Sequence, residues 1–281
     1  MDVSERQQFK DSVIGMYDRA APIYGQVGTK QFTYFGNLLV ERLSIPAGGQ
    51  ALDIAAGRGA LLFALAEKVG ERGHVLGIDL APTMVTETSA EIQRRGLKQA
   101  EIRLMDGDAL DFEANIFDVV TCGFALHFLD FERTLPKILA MLKSGGVFAA
   151  IIPYTPIDDD LERWRWLFDL TKAVFPDGFV PPAAWIAPRK LSKPELATAA
   201  FEQAGFTHTQ IEQQAATLYF RDELDWWDWE WSQGSRFWLE GMSTEGLERF
   251  KRESFEHLQA MKTAEGIAMR DGALFAIGYK P

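Results

Sequence analysis

Between residue 50 and residue 154 the chain alternates between two periods. The runs ALDIA, HVLGIDL, EIRLMDG, FDVVTCGF and GVFAAIIPY are short, apolar and rich in β-forming residues, whereas LLFALAEKVG, PTMVTETSAEIQRRG and TLPKILAMLK carry helical spacing. A strand followed by a helix and another strand is returned to its starting end by the crossover, so successive strands pair in parallel. Parallel sheets are covered on both faces, which is why these runs are nearly continuous in hydrophobicity rather than alternating. Gly49, Gly73, Gly96 and the pair Gly145-Gly146 stand between the runs, where chain reversal asks for a permissive backbone. The pattern predicts an α/β fold: a mostly parallel sheet with helices on both faces.

The flanks read differently. Residues 3–45 are helical in pattern, interrupted at Ala21-Pro22, and dense in rings from Tyr17, Tyr24, Phe32, Tyr34 and Phe35. All eight tryptophans lie beyond residue 160, within LERWRWLFDLTKAVFPDGFVPPAAW and DELDWWDWEWSQGSRFWLEGM. SKPELATAAFEQAGF reads as a capped helix, with Ser192 at the N-cap, Pro194 in the first turn and Glu195 at the capping-box position. THTQIEQQ and GALFAIGYK complete the strands, separated by a helical excursion over 221–270. The expected organisation is an N-terminal helical lid over 1–45, a ligand-binding core over 46–154, and a remainder over 155–281 that finishes the sheet and carries an aromatic helical cap, all one structural unit.

Charge and cysteine usage exclude several functions. Forty acidic residues against 29 basic ones give a formal net charge of −11, with no Lys/Arg block, which opposes binding to a phosphate backbone; nucleic acid is not an expected partner. The single cysteine, Cys122, permits neither an internal disulfide nor a Cys-cluster metal site, and fits the cytoplasm. The first 20 residues lack the basic and apolar regions of a secretory leader, and no apolar run approaches the roughly 20 residues of a membrane span. No HExxH or dense His/Asp/Glu cluster recommends a catalytic metal, so none is expected; Mg²⁺ carried on a substrate phosphate is left open, as is oligomeric state.

The chemistry concentrates in Asp53-Ile54-Ala55-Ala56-Gly57-Arg58-Gly59-Ala60, between a strand and a helix, where small residues let a ligand approach the backbone and the helix N-terminus. A dinucleotide fingerprint would require a third small residue where Leu62 stands, which makes an NAD(P)-dependent oxidoreductase the weaker reading. The acidic opening at Asp53 suits a cationic ligand better than a pyrophosphate.

The ordered series ALDIAAGRGAL, HVLGIDLAPTMV and MDGDAL resembles the successive cofactor motifs of class I S-adenosylmethionine-dependent methyltransferases, the group that includes the ubiquinone/menaquinone-biosynthesis type, over residues 13–153. The resemblance implies a Rossmann-like seven-stranded sheet with its last strand antiparallel, S-adenosylmethionine as cofactor, and a small-molecule methyl acceptor of the kind found in secondary metabolism. It implies that Asp53 lies near the methionine amino group, that the backbone of Ala55, Gly57 and Gly59 passes under the cofactor, and that Asp79 accepts from the ribose hydroxyls. Leu80 and Met84 would flank the adenine, Asp108 would take its exocyclic amine and the Ala109 amide would meet the ring, with Asp106 and Asp111 as competitors. Phe124 and His127 would border the methyl-donating end, and the similar N-terminal lead-in YDRAAPIY would place Tyr17 or Tyr24 over the cofactor, Tyr24 being favoured because it falls where the helix breaks. Ala55 departs from the family's glycine.

Two readings of His127 stay open: a general base toward the acceptor, or a cofactor-edge histidine. Among the aromatic residues, Trp227, Trp231 and Phe237, with Arg236 and Tyr24, are acceptor candidates, although core packing is the common fate of such rings. Arg163, Arg165, Arg189, Lys190, Arg221 and Arg236 could serve an anionic head group or be surface charges. An aromatic lining would also suit an acceptor that develops positive charge, as in C-methylation. The reaction expected is direct in-line transfer to O, N or C of a largely apolar metabolite. A protein that uses the same scaffold to bind S-adenosylmethionine without methylating anything shares all of these motifs.

Overall fold

Each apolar run becomes a strand and each helical run a helix. The computed structural model describes residues 3–155, 162–175 and 191–281. The elements are α1 (Val3–Ala20), α2 (Gln31–Arg42), β1 (Gln50–Ile54), α3 (Ala60–Val69), β2 (His74–Asp79), α4 (Pro82–Arg95), β3 (Ala100–Leu104), β4 (Phe117–Gly123), α5 (Phe131–Met141) and β5 (Leu142–Tyr154). They continue as α6 (Arg165–Val174), α7 (Pro194–Gln203), β6 (Thr207–Phe220), α8 (Glu223–Trp231), α9 (Arg236–Gly241), α10 (Thr244–Met261) and β7 (Ile267–Tyr279).

The seven strands form one sheet in the order β3-β2-β1-β4-β5-β7-β6. The pairs β1–β2, β2–β3, β1–β4 and β4–β5 are parallel, as the crossovers require. At the other edge the Gly145 amide donates to the Lys280 carbonyl and the Lys280 amide to that of Gly146. The start of β5 therefore lies beside the end of β7, so β7 runs antiparallel to it. The strand order reverses between β1 and β4, which opens a crevice at their carboxyl ends, the usual ligand position in such sheets.

Period-two alternation sorts the strand residues onto two faces. Leu52, Ile54, Leu76, Ile78, Val120, Cys122, Phe148 and Ala150 pack on one side with Leu135 and Ile138 of α5 and Phe201 of α7. The intervening residues, Asp53, Gly77, Thr121 and Gly123 among them, lie on the face covered by α3, whose Leu61, Leu62 and Leu65 are buried. Gly77 and Gly123 are small because α3 comes close: a Cβ on Gly77 would sit 2.5 Å from Leu62 Cδ1, and one on Gly123 would sit 2.7 Å from Leu61 Cδ1.

The chain divides into two compact units, one of residues 32–154, 187–214 and 273–281, the other of residues 1–31, 155–186 and 215–272. The first carries most of the sheet. The second is helical, with a core in which Trp164, Phe220, Trp226, Phe250 and Leu258 are buried. Within it the Asp225 carboxylate accepts from the amides of Gly28 and Arg221 and pairs with the Arg221 guanidinium at 2.8 Å. Trp229 Nε1 donates to Gln31 Oε1 at 2.9 Å.

Two local expectations change. The helix read from SKPELATAAFEQAGF starts at Pro194 with Lys193 as the flanking residue and no side-chain cap, so Ser192 is not its N-cap. Strands β6 and β7 each extend past the runs that announced them, to Phe220 and back to Ile267, because alternating polar residues in β6 weakened its signal. Replacing Gly77 by Ala is expected to destabilise the protein by about 1–3 kcal/mol through overpacking against Leu62, as read from the midpoint of urea unfolding at unchanged slope.

Candidate cofactor site at the strand ends

The segment 55–59 connects β1 to α3 through three residues with positive φ: Ala55 at 54°, Gly57 at 51° and Gly59 at 83°. Left-handed geometry costs an L-residue with a Cβ on the order of 1–2 kcal/mol, so Ala55 is held there by the surrounding bonds. At Gly59 the requirement is doubled, since a Cβ would also lie 2.5 Å from the Phe63 ring. The loop is pinned on every side. The Ala56 amide donates to the Ile78 carbonyl at 2.9 Å, the Gly59 amide to that of Ala56 at 2.8 Å, and Thr88 Oγ1 of α4 to the Gly57 carbonyl at 2.7 Å.

Asp79, at the end of β2, is the centre of this network. Its Oδ2 accepts from the Gly57 amide at 2.8 Å and its Oδ1 from the Ala81 amide at 2.9 Å, so one carboxylate joins the β1 loop to the start of α4. Each carboxylate oxygen offers two lone pairs, and a vicinal diol is therefore a compatible further partner. Met84 is buried in the first turn of α4 and Leu80 is partly exposed beside it.

Asp53 is the most unusual group. It is 1% exposed on the α3 face of β1, flanked in register by Gly77 and Thr121. Oδ1 accepts from Thr121 Oγ1 at 2.8 Å, while Oδ2 is buried with no hydrogen-bond partner. Burial pushes its pKa up to about 7, against the pull of the Thr121 hydroxyl and, more weakly, the Leu62 amide, with Asp79 adding to the rise. A buried carboxylate with one unsatisfied oxygen fits a cationic ligand, because an ammonium would supply both the missing donor and the compensating charge.

In the segment after β3 the Asp108 carboxylate ties down the start of α5. Its Oδ1 accepts from the Asp130 amide at 2.8 Å and Thr134 Oγ1 at 3.2 Å, and its own amide donates to Asp106 Oδ1 at 2.9 Å. The Ala109 amide donates to the Asp106 carbonyl at 2.9 Å, so in this structure it closes a turn. Past β4, Phe124 takes a positive φ of 55° and donates its amide to the Ile151 carbonyl at 2.7 Å. That strained residue turns its ring to Phe32 and Phe35 of α2, at 5.2 and 6.1 Å between centroids. The His127 ring lies tilted against Phe128, 4.1 Å between centroids; its Nδ1 is buried without a partner, and burial lowers its pKa to about 4.

The sheet unit thus brings together Asp53, Ala55, Gly57, Gly59, Asp79, Leu80, Met84, Asp108, Ala109, Phe124 and His127. Tyr24, Trp227, Trp231, Arg236 and Phe237 belong to the helical unit. There Tyr24 meets Tyr17 edge-on at 5.9 Å, Trp227 meets Trp231 at 6.1 Å, and Phe237 meets Trp238 at 5.5 Å. The Arg236 guanidinium lies over the Trp231 ring at 5.2 Å and bonds Glu240 at 2.8 Å. Arg165 pairs with Glu162, Arg221 with Asp225, and Arg163 donates to the Met261 carbonyl. Trp185, Arg189 and Lys190 lie outside the described residues. Sequence reasoning passed over Thr121 and Thr88, whose only signal was a hydroxyl inside an otherwise apolar strand and helix face. Among the described residues no group of three or more His, Cys, Asp or Glu could hold a metal ion, and no helix is long and apolar enough to cross a membrane.

Comparison with known proteins shows the family. Residues 51–146 match the family described as a methyltransferase domain. The nocamycin O-methyltransferase of Saccharothrix syringae is 31% identical over 235 residues, covering 80% of this chain and 83% of that one. The aklanonic acid methyltransferase of Streptomyces sp. (strain C5) is 37% identical over 146 residues, 52% of this chain and 66% of that one. Among solved structures, phosphoethanolamine N-methyltransferase 2 of Haemonchus contortus, in complex with S-adenosylhomocysteine, shares the fold with a TM-score of 0.53 and 17% identity, over 88% of this chain and 53% of that one. The chain belongs to the class I S-adenosylmethionine-dependent methyltransferases. It is a methyltransferase of the small-molecule type, with S-adenosylmethionine as its cofactor.

The raised pKa of Asp53 links stability to pH. The folded value lies above the unfolded one, so the stabilisation from this group is complete below the ordinary carboxylate range and is lost as pH rises toward about 7. Asp53→Asn should therefore stabilise the ligand-free protein at pH 8 by up to about 4 kcal/mol relative to the difference at pH 4. Urea titrations of both proteins at the two pH values check it; a difference that does not change with pH contradicts the carboxylate's raised pKa.

Proposed function

We propose that this enzyme methylates an oxygen of a small, largely apolar metabolite, and that the strand-end residues of the sheet unit hold its cofactor. The observation that carries the reading is the buried Asp53 carboxylate with an orphaned Oδ2 at the tip of β1. When bound, S-adenosylmethionine supplies an electrophilic methyl group on a sulfonium. Asp53 neutralises the ammonium end, and the loop Ala55–Gly59 presents backbone rather than side chain to the ligand. Asp79 accepts from the ribose hydroxyls with the lone pairs left by Gly57 and Ala81. Asp108 receives the exocyclic amine of the adenine, the Ala109 amide turns from Asp106 to the ring, and Leu80 and Met84 bound the ring on either side.

Phe124 and His127 line the methyl-donating end. His127 serves there as a neutral edge: an imidazole whose pKa has fallen to about 4 is a weak base at neutral pH. Acceleration then comes from holding donor and acceptor in contact, which removes the entropy of bringing them together. Tyr24, Trp227, Trp231 and Phe237 are the residues this reading offers for acceptor recognition. Arg236 keeps its pairing with Glu240 and stiffens that group. The acceptor class is supported by the 31% identical nocamycin O-methyltransferase and by the apolar character of these side chains. A net charge of −11 argues against nucleic acid as acceptor, and the single buried cysteine fits a reducing, cytoplasmic setting.

Calorimetric titration with S-adenosylmethionine should show one site per chain, and Asp79→Ala should lose about 1–3 kcal/mol of affinity as its hydroxyl and amide partners are orphaned. Transfer of labelled methyl from the cofactor to apolar hydroxylated metabolites completes the test. No binding by the folded parent protein, or cofactor bound but no label transferred to any acceptor, overturns the reading.

A further inference from the structure

Thr121 has no place in the cofactor motifs, yet it is fully buried in β4 and donates the side-chain hydrogen bond that the Asp53 carboxylate accepts. The two residues are register partners on adjacent parallel strands, so their side chains emerge side by side on the α3 face. Oγ1 lies 2.8 Å from Asp53 Oδ1 and 3.5 Å from the Leu52 carbonyl. These two neighbours give the hydroxyl two settings. With Asp53 ionised it donates to Oδ1. With Asp53 protonated on Oδ1 it accepts that proton's hydrogen bond and turns its own hydrogen toward the Leu52 carbonyl.

Resting on the cofactor site proposed above, we propose that Thr121 is a positioning residue for cofactor binding: its hydroxyl occupies Asp53 Oδ1, stabilises the ionised carboxylate and leaves Oδ2 as the acceptor for the ammonium end of S-adenosylmethionine. The surroundings make such help necessary. Gly77 flanks Asp53 on the β2 side with no side chain, and α3 packs Leu61 and Leu62 over this face. The titratable groups acting on Asp53 are Asp79 at the end of β2, which is repulsive, and the Cys122 thiol on β4, which burial holds protonated. Arg58, in the loop itself, is paired with Glu87 at 3.3 Å. The Thr121 hydroxyl is the side-chain donor that favours the charged form, with a smaller contribution from the Leu62 amide at the start of α3, and burial against this pull raises the Asp53 pKa to about 7. Cofactor binding is accordingly coupled to loss of a proton from Asp53.

The test is S-adenosylmethionine affinity, measured by calorimetry from about pH 6 to about pH 8.5, for the parent, Thr121→Val, Thr121→Ser and Asp53→Asn. Thr121→Val should bind roughly tenfold more weakly near pH 6.5, since a hydrogen bond to a charged group is lost, and should approach the parent at the alkaline end, where the carboxylate ionises unaided. Thr121→Ser restores the hydroxyl and should restore both affinity and pH profile. Adding Thr121→Val to Asp53→Asn should cost little more, because the hydroxyl acts through the carboxylate. Titrations of the ligand itself are common to all variants and cancel in each ratio. Parent-like binding by Thr121→Val at every pH, or an equal loss at every pH that Thr121→Ser shares, overturns the positioning role. Should Thr121→Val fail to fold, the profile of Thr121→Ser against Asp53→Asn still decides, for serine must follow the parent and asparagine must lose the pH dependence. Absence of binding by the folded parent protein would instead remove the cofactor site itself.

Discussion

A single carboxylate holds the strand-end crevice in shape. Asp79 receives the Gly57 amide on one oxygen and the Ala81 amide on the other, and so joins the turn after β1 to the N-terminus of α4. That link works with the Ala56 amide on the Ile78 carbonyl to hold the three left-handed residues of 55–59 in place. The Thr88 hydroxyl on the Gly57 carbonyl closes the same ring from the helix side. In the reading proposed above, anchoring and ligand recognition would fall on one side chain, because a carboxylate has more acceptor capacity than two amides consume. The cradle is thus held by the chain's own hydrogen bonds, which limits the ordering cost that binding must offset.

Asp53 obeys the opposite logic. Its neighbours leave one oxygen unmet and offer no compensating cation, so the ligand-free protein carries an electrostatic defect at the tip of its first strand. Such a defect lowers stability and raises selectivity, because only a ligand bringing positive charge and a donor relieves it. A pyrophosphate would aggravate it. Glu230 and Asp271 are also buried carboxyls with pKa values pushed up to about 7 and about 6 by burial, but they lie in the helical unit, away from the cofactor motifs in sequence.

Much of this was legible in the residue order. The βαβ segmentation followed from period alone, and Gly57, Gly59, Asp53 and Asp79 stood out because small residues and paired acids at strand ends have few other uses. Less could be read where a residue's part depends on a neighbour distant in sequence. Asp108 looked like a ligand contact and is also the clamp on Asp130 and Thr134. Arg236 looked available to an anion and is tied to Glu240 and to the Trp231 ring. Ser192 looked like a helix cap, yet Lys193 holds that place because the helix starts one residue later.

The sequence by itself determined the layer architecture, which depends on local period and backbone permissiveness, and, through its ordered motifs, the family and its cofactor. Only the tertiary structure decided the protonation behaviour of Asp53 and the part played by Thr121. Those depend on strand register, which sets residue 53 beside residue 121 across β1 and β4, and on the depth of burial that makes an unmatched carboxylate costly. Both arise from long-range packing, to which no stretch of neighbouring residues bears witness.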